Sequence, residues 1–551
     1  MVSTGTPGPG VVPPSIPAVV AGMAARVPDV EAVVSRDGRY TFGSLATAAA
    51  VAAERLAGEG VAAGTRVAGS ADNTADLVVA FLAAMSLGAV WVGLNRRLAP
   101  PEKAYILADS GAAVLVAPDD TVAELAPRRA GLPDLRATVP VAGLGAVGGP
   151  GGGSGHTSGG GHATLPDPDA VDPFAAAAIA YTSGTTGHPK GVVHSQHNLL
   201  LPGAYLASTD EYPASIRIGV CMPLTILNLM VLGPLLGLQA AATTVVLDRI
   251  DTDGLTDWVA REGIETMAVP PATLFDLAHR GDPDGRLASW TRVQTGGGDC
   301  PDALLEQFER TLAKEVTRSY GLTEAPTLVS VEDRGRPHLS GASGRVLPYL
   351  DVAAADPSGR SLPPGTEGEL CIRAAADGPW AGVWTPMLGY WGRPEDTARV
   401  LVDGVLHTGD MGSVDADGNV SVKDRRSNVI VRGGANVYPA EVERVLQAHP
   451  AVAASAVVGR PDPRLGRRVV AYVELVEPVD ADDLRVHCAA ELARYKVPEE
   501  IVVMDHLPRN AMGKVLRQQL AEETAGGQTT GEETAGEETA GEETAGPAVA
   551  S

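Results

Sequence analysis

The sequence contains few cysteines, few lysines and little positive charge. Its four cysteines, Cys221, Cys300, Cys371 and Cys488, lie far apart along 551 residues and form no CxxC pair. This spacing argues against a disulfide framework and against a zinc site. We therefore expect reduced, structural thiols in a cytoplasmic protein.

The shortage of positive charge excludes one class of partner. Lys and Arg number 43 against 67 Asp and Glu, which gives a formal net charge of -24. A surface that binds nucleic-acid phosphates needs clustered Lys and Arg, so no nucleic-acid partner is expected. Eight Glu and no Lys or Arg follow Leu520, so a third of the net charge comes from the end of the chain.

Long uninterrupted apolar runs are also missing. The longest apolar stretch, residues 220–246, is interrupted by Pro223, Asn228, Pro234 and Gln239. This pattern predicts buried core rather than a membrane span. Residues 1–14 are rich in Gly and Pro and lack the basic and apolar regions of a secretory signal, which also favours the cytoplasm.

The chain is long enough for more than one hydrophobic core. Between residues 16 and 117, Ala-rich helical stretches alternate with short Val-rich runs at 67–68 and 113–116, which is typical of α/β layers. We predict an α/β fold, with a large amino-terminal domain at 12–424 and a small α+β domain at 428–520. The charged run 423–428 is the predicted hinge between them.

Two segments are not expected to pack. Residues 143–161 are rich in Gly, Ser and His and predict a flexible surface insertion. Residues 531–545 are three copies of Gly-Glu-Glu-Thr-Ala. Short acidic repeats without aromatic residues are typical of disorder, so we expect residues 521–551 to be a disordered tail without a catalytic role.

Residues 176–191 read as an apolar strand that runs into a Ser/Thr/Gly loop and closes on Lys190. Glycines let the backbone bring N–H groups close to an anion, hydroxyls donate hydrogen bonds, and a lysine adds a mobile charge. No Gly-Lys-Ser/Thr follows, so this is not a Walker A loop. The segment predicts a phosphate site of another kind.

The string at 181–191, Tyr-Thr-Ser-Gly-Thr-Thr-Gly-His-Pro-Lys-Gly, resembles the signature loop of the adenylate-forming superfamily of acyl-CoA synthetases, luciferases and peptide-synthetase adenylation domains. Six further stretches resemble motifs of that superfamily and follow in its order: residues 295–299, 320–324, 407–410, 423–428, 433–441 and 508–514. Together they cover about residues 16–520. One chance match is plausible, but this many collinear matches are not.

The resemblance implies a role for each matching residue. Glu324 is expected to hold Mg²⁺ against the triphosphate together with Thr186, since a hard cation prefers oxygen ligands. Thr323 is expected to donate to the α-phosphate, and Asp410 and Arg425 to contact the ribose. The implied nucleotide and CoA contacts are Thr182, Ser183, Gly184, Thr185, Thr186, Gly187, Lys190, Gly296, Gly297, Gly298, Tyr320, Gly321, Asp410, Arg425, Gly433 and Gly434.

Lys514 is the residue expected to supply the positive charge that adenylation needs. Attack of a carboxylate on the α-phosphorus brings anionic oxygens together, and a delivered cation offsets their repulsion. The chain has only six lysines, yet Lys190 and Lys514 both fall where the family motif has a lysine. A solvated surface position stays open for Lys103, Lys314 and Lys496.

The resemblance also implies a domain rotation after adenylation, which withdraws Lys514 and presents Gly433 and Gly434 to a pantetheine thiol. The expected pivot is 426–428, where Ser427 replaces the more frequent Asp or Lys. A larger departure is at 222–228, where relatives usually have an aromatic residue or a His as a gate to the acid pocket. Ile226 or Asn228 takes that place here.

The expected activity is ATP-dependent activation of a small carboxylic acid through an acyl-adenylate, followed by thioester formation with coenzyme A. ATP, Mg²⁺ and CoA are the implied cofactors. Three alternatives stay open: loading of an acyl or amino acid onto a carrier protein, activation of an unusual acid such as nitrite, and a nucleotide-binding protein without catalysis. No metal role is expected for His188, His194 or His197.

Overall fold

We describe the protein from a computed structural model. The structure describes residues 10–146, 163–182, 189–296, 300, 302–425, 428–432, 435–462, 465–492, 494–509 and 514–522. Several predicted features lie outside the described residues: the loop at 183–188, most of the Gly-rich insertion, Gly297, Gly298, Ser427, Gly433, Gly434 and the acidic tail from 523 onward.

The described helices are α1 (Ile16–Arg26), α2 (Phe42–Gly58), α3 (Ala75–Ser86), α4 (Pro100–Ser110), α5 (Asp119–Leu125), α6 (Gln196–Ala207), α7 (Leu227–Met230), α8 (Leu236–Ala240), α9 (Thr252–Glu262), α10 (Pro271–Arg280), α11 (Asp302–Leu312), α12 (Pro394–Val400), α13 (Pro439–Gln447), α14 (Ala481–Glu491) and α15 (Arg517–Glu522). Short 3₁₀ turns occupy Ala126–Gly131 and Pro168–Ala170.

The strands of the first half are β1 (Glu31–Ser35), β2 (Gly38–Thr41), β3 (Arg66–Gly69), β4 (Val90–Gly93), β5 (Val114–Ala117), β6 (Ala137–Pro140), β7 (Ala176–Thr182), β8 (Lys190–Ser195), β9 (Arg217–Val220), β10 (Thr243–Val246), β11 (Thr266–Ala268), β12 (Arg292–Gly296) and β13 (Val316–Tyr320). The strands predicted at 67–68 and 113–116 are confirmed as β3 and β5.

The strands of the second half are β14 (Ser330–Val331), β15 (Arg345–Val346), β16 (Leu350–Ala355), β17 (Gly368–Ala374), β18 (Gly389–Tyr390), β19 (Leu401–Val402), β20 (Val405–Val414), β21 (Val420–Arg425), β22 (Ile430–Arg432), β23 (Ala435–Val437), β24 (Val452–Asp462), β25 (Gly466–Leu475) and β26 (Glu500–Val503).

Two largely parallel sheets form the framework of the large domain. Within the described residues, one runs in the order β15-β14-β13-β12-β11-β9-β10-β1-β2 and the other in the order β18-β8-β7-β4-β3-β5-β6. Their central strands read as Val-rich runs because both faces of a parallel sheet are covered. Helix α3 is buried along almost its whole length. Its small residues Ala80, Ala83 and Ala84 allow the neighbouring core elements to pack closely against it.

A third sheet is antiparallel. Its order is β16-β17-β20-β19, and β21 pairs with β20. The long strand β20 contains the His-Thr-Gly-Asp segment that the sequence singled out. This sheet therefore carries the segment that the resemblance assigns to ribose binding.

The carboxy-terminal part is a small α+β unit. Strands β24, β25 and β26 form one sheet, β22 and β23 form a hairpin, and α13 and α14 pack on a core that includes Val442, Leu446, Val457 and Leu484. The predicted fold class, a large α/β domain followed by a small α+β domain, is confirmed.

The apolar stretch at 220–246 is buried core, as predicted. Met230, Val231 and Leu235 are fully buried, and residues Val231–Leu235 form one wide π-helical turn. Pro234 lies inside that turn, where its missing N–H removes the hydrogen bond that a regular α-helix needs. None of the helices in the described ranges has the length and apolar character required to cross a bilayer.

The solvated position that the sequence left open for Lys103 is excluded by the structure. Lys103 is not a solvated surface residue: it is 1% exposed, and its Nζ lies 2.7 Å from Oε2 of Glu124. A buried ammonium is tolerated because the carboxylate compensates its charge. Sequence alone did not reveal the pair because its two residues come from different helices, α4 and α5.

Candidate active site

The predicted phosphate loop begins and ends on two paired strands. Thr182 at the end of β7 pairs with Lys190 at the start of β8. Just before the loop, the hydroxyl of Tyr181 donates to Oδ2 of Asp109 at 2.7 Å. Burial and the nearby carboxylate raise the pKa of Tyr181, so the phenol keeps the proton that it donates. The two ends of the loop are thus held by backbone and side-chain bonds.

Lys190 points toward a ring and a carboxylate. Its Nζ lies 2.9 Å from Oδ2 of Asp396 and 5.3 Å from the centroid of the Tyr390 ring. The hydrogen bond from Lys190 lowers the pKa of Asp396, which keeps that carboxylate ionised. Asp396 and the Tyr390 ring therefore hold the Lys190 ammonium at the end of the loop, where it is only partly exposed.

Tyr390 connects Lys190 to Glu324, which belongs to the motif at 320–324. Its hydroxyl donates to Oε1 of Glu324 at 2.9 Å. Backbone contacts also fix strand β18, which contains Tyr390. This strand pairs with β8, and the N–H of Met387 donates to the carbonyl oxygen of Glu324. Tyr390 thus contacts Lys190 through its ring and Glu324 through its hydroxyl.

His194 fixes the backbone next to Glu324. Its Nε2 lies 2.6 Å from the carbonyl oxygen of Thr323, and its Nδ1 lies 3.3 Å from Nδ2 of Asn198. A carbonyl only accepts, so Nε2 carries the proton and Nδ1 accepts from the amide. Burial lowers the pKa of His194 to about 4, which keeps the imidazole neutral.

The segment expected to contact adenine ends one of two parallel strands, and a tyrosine at the end of the other contacts the carboxylate expected to bind ribose. Gly296 closes β12 and pairs with Ser319 in β13, directly before Tyr320. The hydroxyl of Tyr320 donates to Oδ2 of Asp410 at 2.6 Å. Ligands of open α/β sheets bind at the carboxyl ends of such strands, so this position suits a nucleotide.

Two glycines are required by the backbone here. A Cβ on Gly321 would lie 1.7 Å from the carbonyl oxygen of Thr327, so only glycine fits that approach. Gly409 has φ +72°, which L side chains rarely adopt. Beyond it, Asp410 is 4% exposed and pairs across β20 and β21 with the backbone of Arg425.

A cavity of about 290 Å³ opens between these motifs. Its lining includes Glu324, Tyr390, Glu369, His407, Thr408 and Gly409. Leu322 and Glu324 from one motif and residues 407–409 from another, distant in sequence, thus line one space.

Comparison with known proteins agrees with this geometry. The AMP-binding enzyme family matches residues 21–391, and the AMP-binding enzyme C-terminal domain matches residues 441–514. The chain belongs to the AMP-binding enzyme family. The adenylate-forming resemblance read from the sequence motifs is therefore confirmed.

Individual relatives cover nearly the whole chain. A feruloyl-CoA synthase of an Amycolatopsis species is 35% identical over 87% of this chain and 93% of its own length. A fatty acid–[acyl-carrier-protein] ligase, ScoC of Streptomyces coeruleorubidus, is 33% identical over 91% of this chain and 95% of its own. The o-succinylbenzoate CoA synthetase MenE of Bacillus subtilis, solved with its acyl-adenylate intermediate, is 28% identical with a TM-score of 0.77, covering 93% of this chain and 99% of that chain.

The residues present in this AMP-binding enzyme fit a Mg²⁺ ion. The Glu324 carboxylate lines the cavity, and an ionised carboxylate that accepts one bond from Tyr390 retains further acceptor positions. Oxygen donors of this kind are what Mg²⁺ prefers. The second expected metal contact, Thr186, lies outside the described residues.

The remaining predicted residues of the AMP-binding enzyme are distributed as follows. Lys514 is exposed on the small domain, directly before Val515, which bridges to Arg509. Thr323 lies half-buried beside Glu324. Ser183, Gly184, Thr185, Gly187, Gly297, Gly298, Gly433 and Gly434 are outside the described residues.

Four residues of this site were missed by sequence reasoning: Tyr390, Asp396, His194 and Asp109. Their contacts cross between separate elements, so no spacing in the sequence reveals them. The Gly-Tyr-Trp string at 389–391 was the only local signal, because a buried aromatic next to a turn often has a polar partner for its hydroxyl.

Proposed function

We propose that this AMP-binding enzyme activates a small carboxylic acid with ATP and transfers the acyl group to the thiol of coenzyme A. In the first step a carboxylate oxygen bonds to the α-phosphorus and pyrophosphate leaves. In the second step the thiol sulfur bonds to the acyl carbon, AMP leaves, and the thiol proton passes to solvent. The contacts of Tyr390 support the proposal most directly, because its ring lies next to the Lys190 ammonium while its hydroxyl donates to the Glu324 carboxylate, which lines the cavity.

The described residues suggest a division of work. Lys190 meets the phosphates at the end of the loop, and Glu324 holds Mg²⁺, which supplies charge neutralisation for the leaving pyrophosphate. Asp410 accepts from the ribose hydroxyls and is itself oriented by Tyr320. The neutral, buried His194 donates to the carbonyl oxygen of Thr323 and so fixes the backbone there. The side chain of Thr323 can then donate to the α-phosphate.

Lys514 supplies the mobile charge in this proposal. It is exposed in the carboxy-terminal part of the chain, whereas Lys190 and Asp410 lie on strands β8 and β20 of the large domain. A flexible ammonium delivered by a separate domain suits a step in which anionic oxygens approach each other and then separate. Withdrawal of the same domain makes room for the thiol.

The acid pocket is the part that sets this enzyme apart from its usual relatives. Asn73 holds the gate segment, since its Nδ2 donates to the carbonyls of Met222 and Leu247 and its Oδ1 accepts from the N–H of Leu224. Ile226 and Asn228 are half-buried, whereas Leu227 between them is buried. We propose that Ile226 and Asn228 contact the acid.

Acid-dependent exchange of pyrophosphate into ATP tests the first step. The panel includes aromatic, arylacrylic, fatty and amino acids together with nitrite. Lys514→Ala should lower exchange by about two to four orders of magnitude, as expected when a charge that acts in the transition state is lost. Lys314→Ala, at a lysine two residues after the end of α11, is the matched control and should keep normal exchange.

Two outcomes would overturn the activity. If ATP binds but no acid supports exchange, the chain is a binding protein without catalysis. If Lys514→Ala and Lys314→Ala behave alike, the assigned role of Lys514 is wrong.

The acceptor is tested separately, because the similarity to ScoC favours a carrier protein as a second candidate. The active acid is incubated with ATP and either CoA or a phosphopantetheinylated carrier protein, and products are weighed by mass spectrometry. Acyl-CoA without acyl-carrier product supports CoA. The reverse result would reassign the enzyme to carrier loading while leaving adenylation intact.

A further inference from the structure

Three ligand-type side chains meet on the antiparallel sheet, beside the nucleotide motifs. Cys371 in β17 pairs directly with His407 in β20. Glu369 lies two residues before Cys371 on the same strand, and a bulge between them shifts the register. A two-residue step keeps both side chains on one face of the sheet, so all three converge.

The distances within this cluster are short. Nδ1 of His407 lies 3.4 Å from Sγ of Cys371 and 3.3 Å from Oε2 of Glu369. One ligand atom from each of the three residues lies within 4.8 Å of the others. Tetrahedral zinc, with bonds of about 2.0–2.3 Å, separates neighbouring ligand atoms by about 3.3–3.6 Å. The two distances to Nδ1 match that spacing.

We propose that Glu369, Cys371 and His407 form a binding site for a borderline-soft divalent cation of the zinc type. A thiolate, an imidazole nitrogen and a carboxylate oxygen are the three ligand types that such an ion accepts. Thiolate and carboxylate together balance the two positive charges. Glu369 and His407 also line the 290 Å³ cavity, which leaves an open side for a water as fourth ligand.

Binding exchanges a proton for the ion. Burial, followed by the charge of Glu369, raises the pKa of the Cys371 thiol to about 12. In the free protein the sulfur is therefore protonated. When the ion binds, the S–H bond breaks, a sulfur–metal bond forms, and the proton passes to the buffer. No oxidation or reduction takes part.

The ligands of this site differ in kind from the Glu324 carboxylate expected to hold Mg²⁺, which lines the same cavity. A thiolate and an imidazole select a softer ion than Mg²⁺. The second oxygen of Glu369, Oε1, accepts from the N–H of Gly409 at 3.0 Å, one residue before Asp410. An ion held here would therefore be next to the segment that orients the ribose carboxylate.

Cobalt is the probe, because Co²⁺ replaces Zn²⁺ in such sites and reports sulfur ligation by a thiolate-to-cobalt absorption in the near ultraviolet. Tag-free, chelator-treated full-length protein is titrated with Co²⁺ in the absence of nucleotide. We expect one equivalent to develop the absorption together with intense visible bands of tetrahedral cobalt. One equivalent of Zn²⁺ should then remove both.

Cys371→Ser should abolish the sulfur absorption. Cys488→Ala is the matched control: Cys488 is also buried with a raised thiol pKa, but burial alone causes that shift. This control should titrate like the unmodified protein. Glu369→Gln keeps an acceptor for the Gly409 N–H and should weaken Co²⁺ binding by about tenfold or more, judged by the loss usual for altered metal surroundings.

Either of two results overturns the site. One is no thiolate-to-cobalt absorption in the unmodified protein at pH 8. The other is an absorption that persists in Cys371→Ser, because another cysteine then supplies the sulfur. Circular dichroism of each variant shows that the fold is retained, and the Glu369→Gln titration keeps the test decisive if the cysteine variant does not fold.

Discussion

The hydroxyl of Tyr390 donates to Oε1 of Glu324 at 2.9 Å, across 66 positions of sequence. The same ring lies 5.3 Å from Nζ of Lys190. One aromatic side chain thus orients the carboxylate proposed for Mg²⁺ and the ammonium proposed for phosphate. Replacing Tyr390 by phenylalanine separates the two contacts, because it removes the hydrogen bond to Glu324 and keeps the ring beside Lys190.

Tyr390→Phe should lower the rate of acid-dependent ATP–pyrophosphate exchange by about 10- to 100-fold, since a hydrogen bond to a charged group contributes about 1.5–3 kcal/mol. Initial rates over a range of Mg²⁺ concentrations should show that the loss is partly recovered by more Mg²⁺. Tyr40→Phe, whose hydroxyl has only a 3.5 Å contact with Asp76, is the control. Equal rates for the two variants would contradict the assigned contact.

The bond between Tyr320 and Asp410 predicts how the enzyme reads the ribose. Asp410→Asn keeps the shape and removes the charge, and should raise KM for ATP by about tenfold because a charge-assisted acceptor is lost. The unmodified enzyme should discriminate against 2′- and 3′-deoxy-ATP, and Asp410→Asn should discriminate less. Steady-state exchange with the three nucleotides measures both effects.

Tyr320→Phe provides the comparison for that prediction. It removes the hydroxyl that orients the carboxylate while leaving Asp410 charged, so the loss in ATP affinity should be smaller. Unchanged discrimination in Asp410→Asn would show that the ribose is held elsewhere.

His194 predicts a pH dependence of stability. Its pKa is about 4 in the folded protein, because of burial, against an ordinary value of 6.5 when unfolded. Between these values the unfolded chain binds more protons, so the free energy of unfolding falls as the pH decreases from about 6.5 to about 4. The full contribution is on the order of 3 kcal/mol and is present only above the unfolded pKa.

His194→Gln tests this, because glutamine can still donate to the carbonyl of Thr323 but does not titrate. Urea unfolding at pH 7.5 and at pH 4.5 should show a smaller loss of stability on acidification for His194→Gln than for the unmodified enzyme. The exposed His279, replaced by Gln, is the control and should leave the pH dependence unchanged. Parallel losses in all three proteins would contradict the prediction.

Sequence reading predicted the fold class and the motif positions because these depend on local patterns. Short Val-rich runs separated by Ala-rich helices indicate β3 and β5, and the Gly-rich strings mark backbone that must turn or approach closely, as at Gly321 and Gly409. The nucleotide roles themselves came from the resemblance.

Contacts between distant segments could not be predicted in this way. The buried Lys103 pairs with the partly exposed Glu124, although a lone lysine in a helix normally indicates a solvated face. The spacing of the cysteines argued against zinc, yet Cys371 lies beside His407 because two antiparallel strands set them opposite each other. Strand register, not sequence separation, decides such clusters.

The gate at 222–228 predicts a change in acid preference that leaves nucleotide binding intact. Ile226 and Asn228 are half-buried on a segment held by Asn73, so replacing either alters the proposed pocket without touching the contacts of Asp410 or Lys190. Ile226→Ala should enlarge the pocket and shift kcat/KM toward bulkier acids by about tenfold, the discrimination usual for one or two methylene groups. KM for ATP should stay within about twofold of its normal value. Leu229→Ala, a half-buried neighbour in α7, is the matched control. If Ile226→Ala changes KM for ATP and leaves the order of acids unchanged, the gate lies elsewhere, and the absence of the usual His or aromatic residue has no bearing on substrate choice.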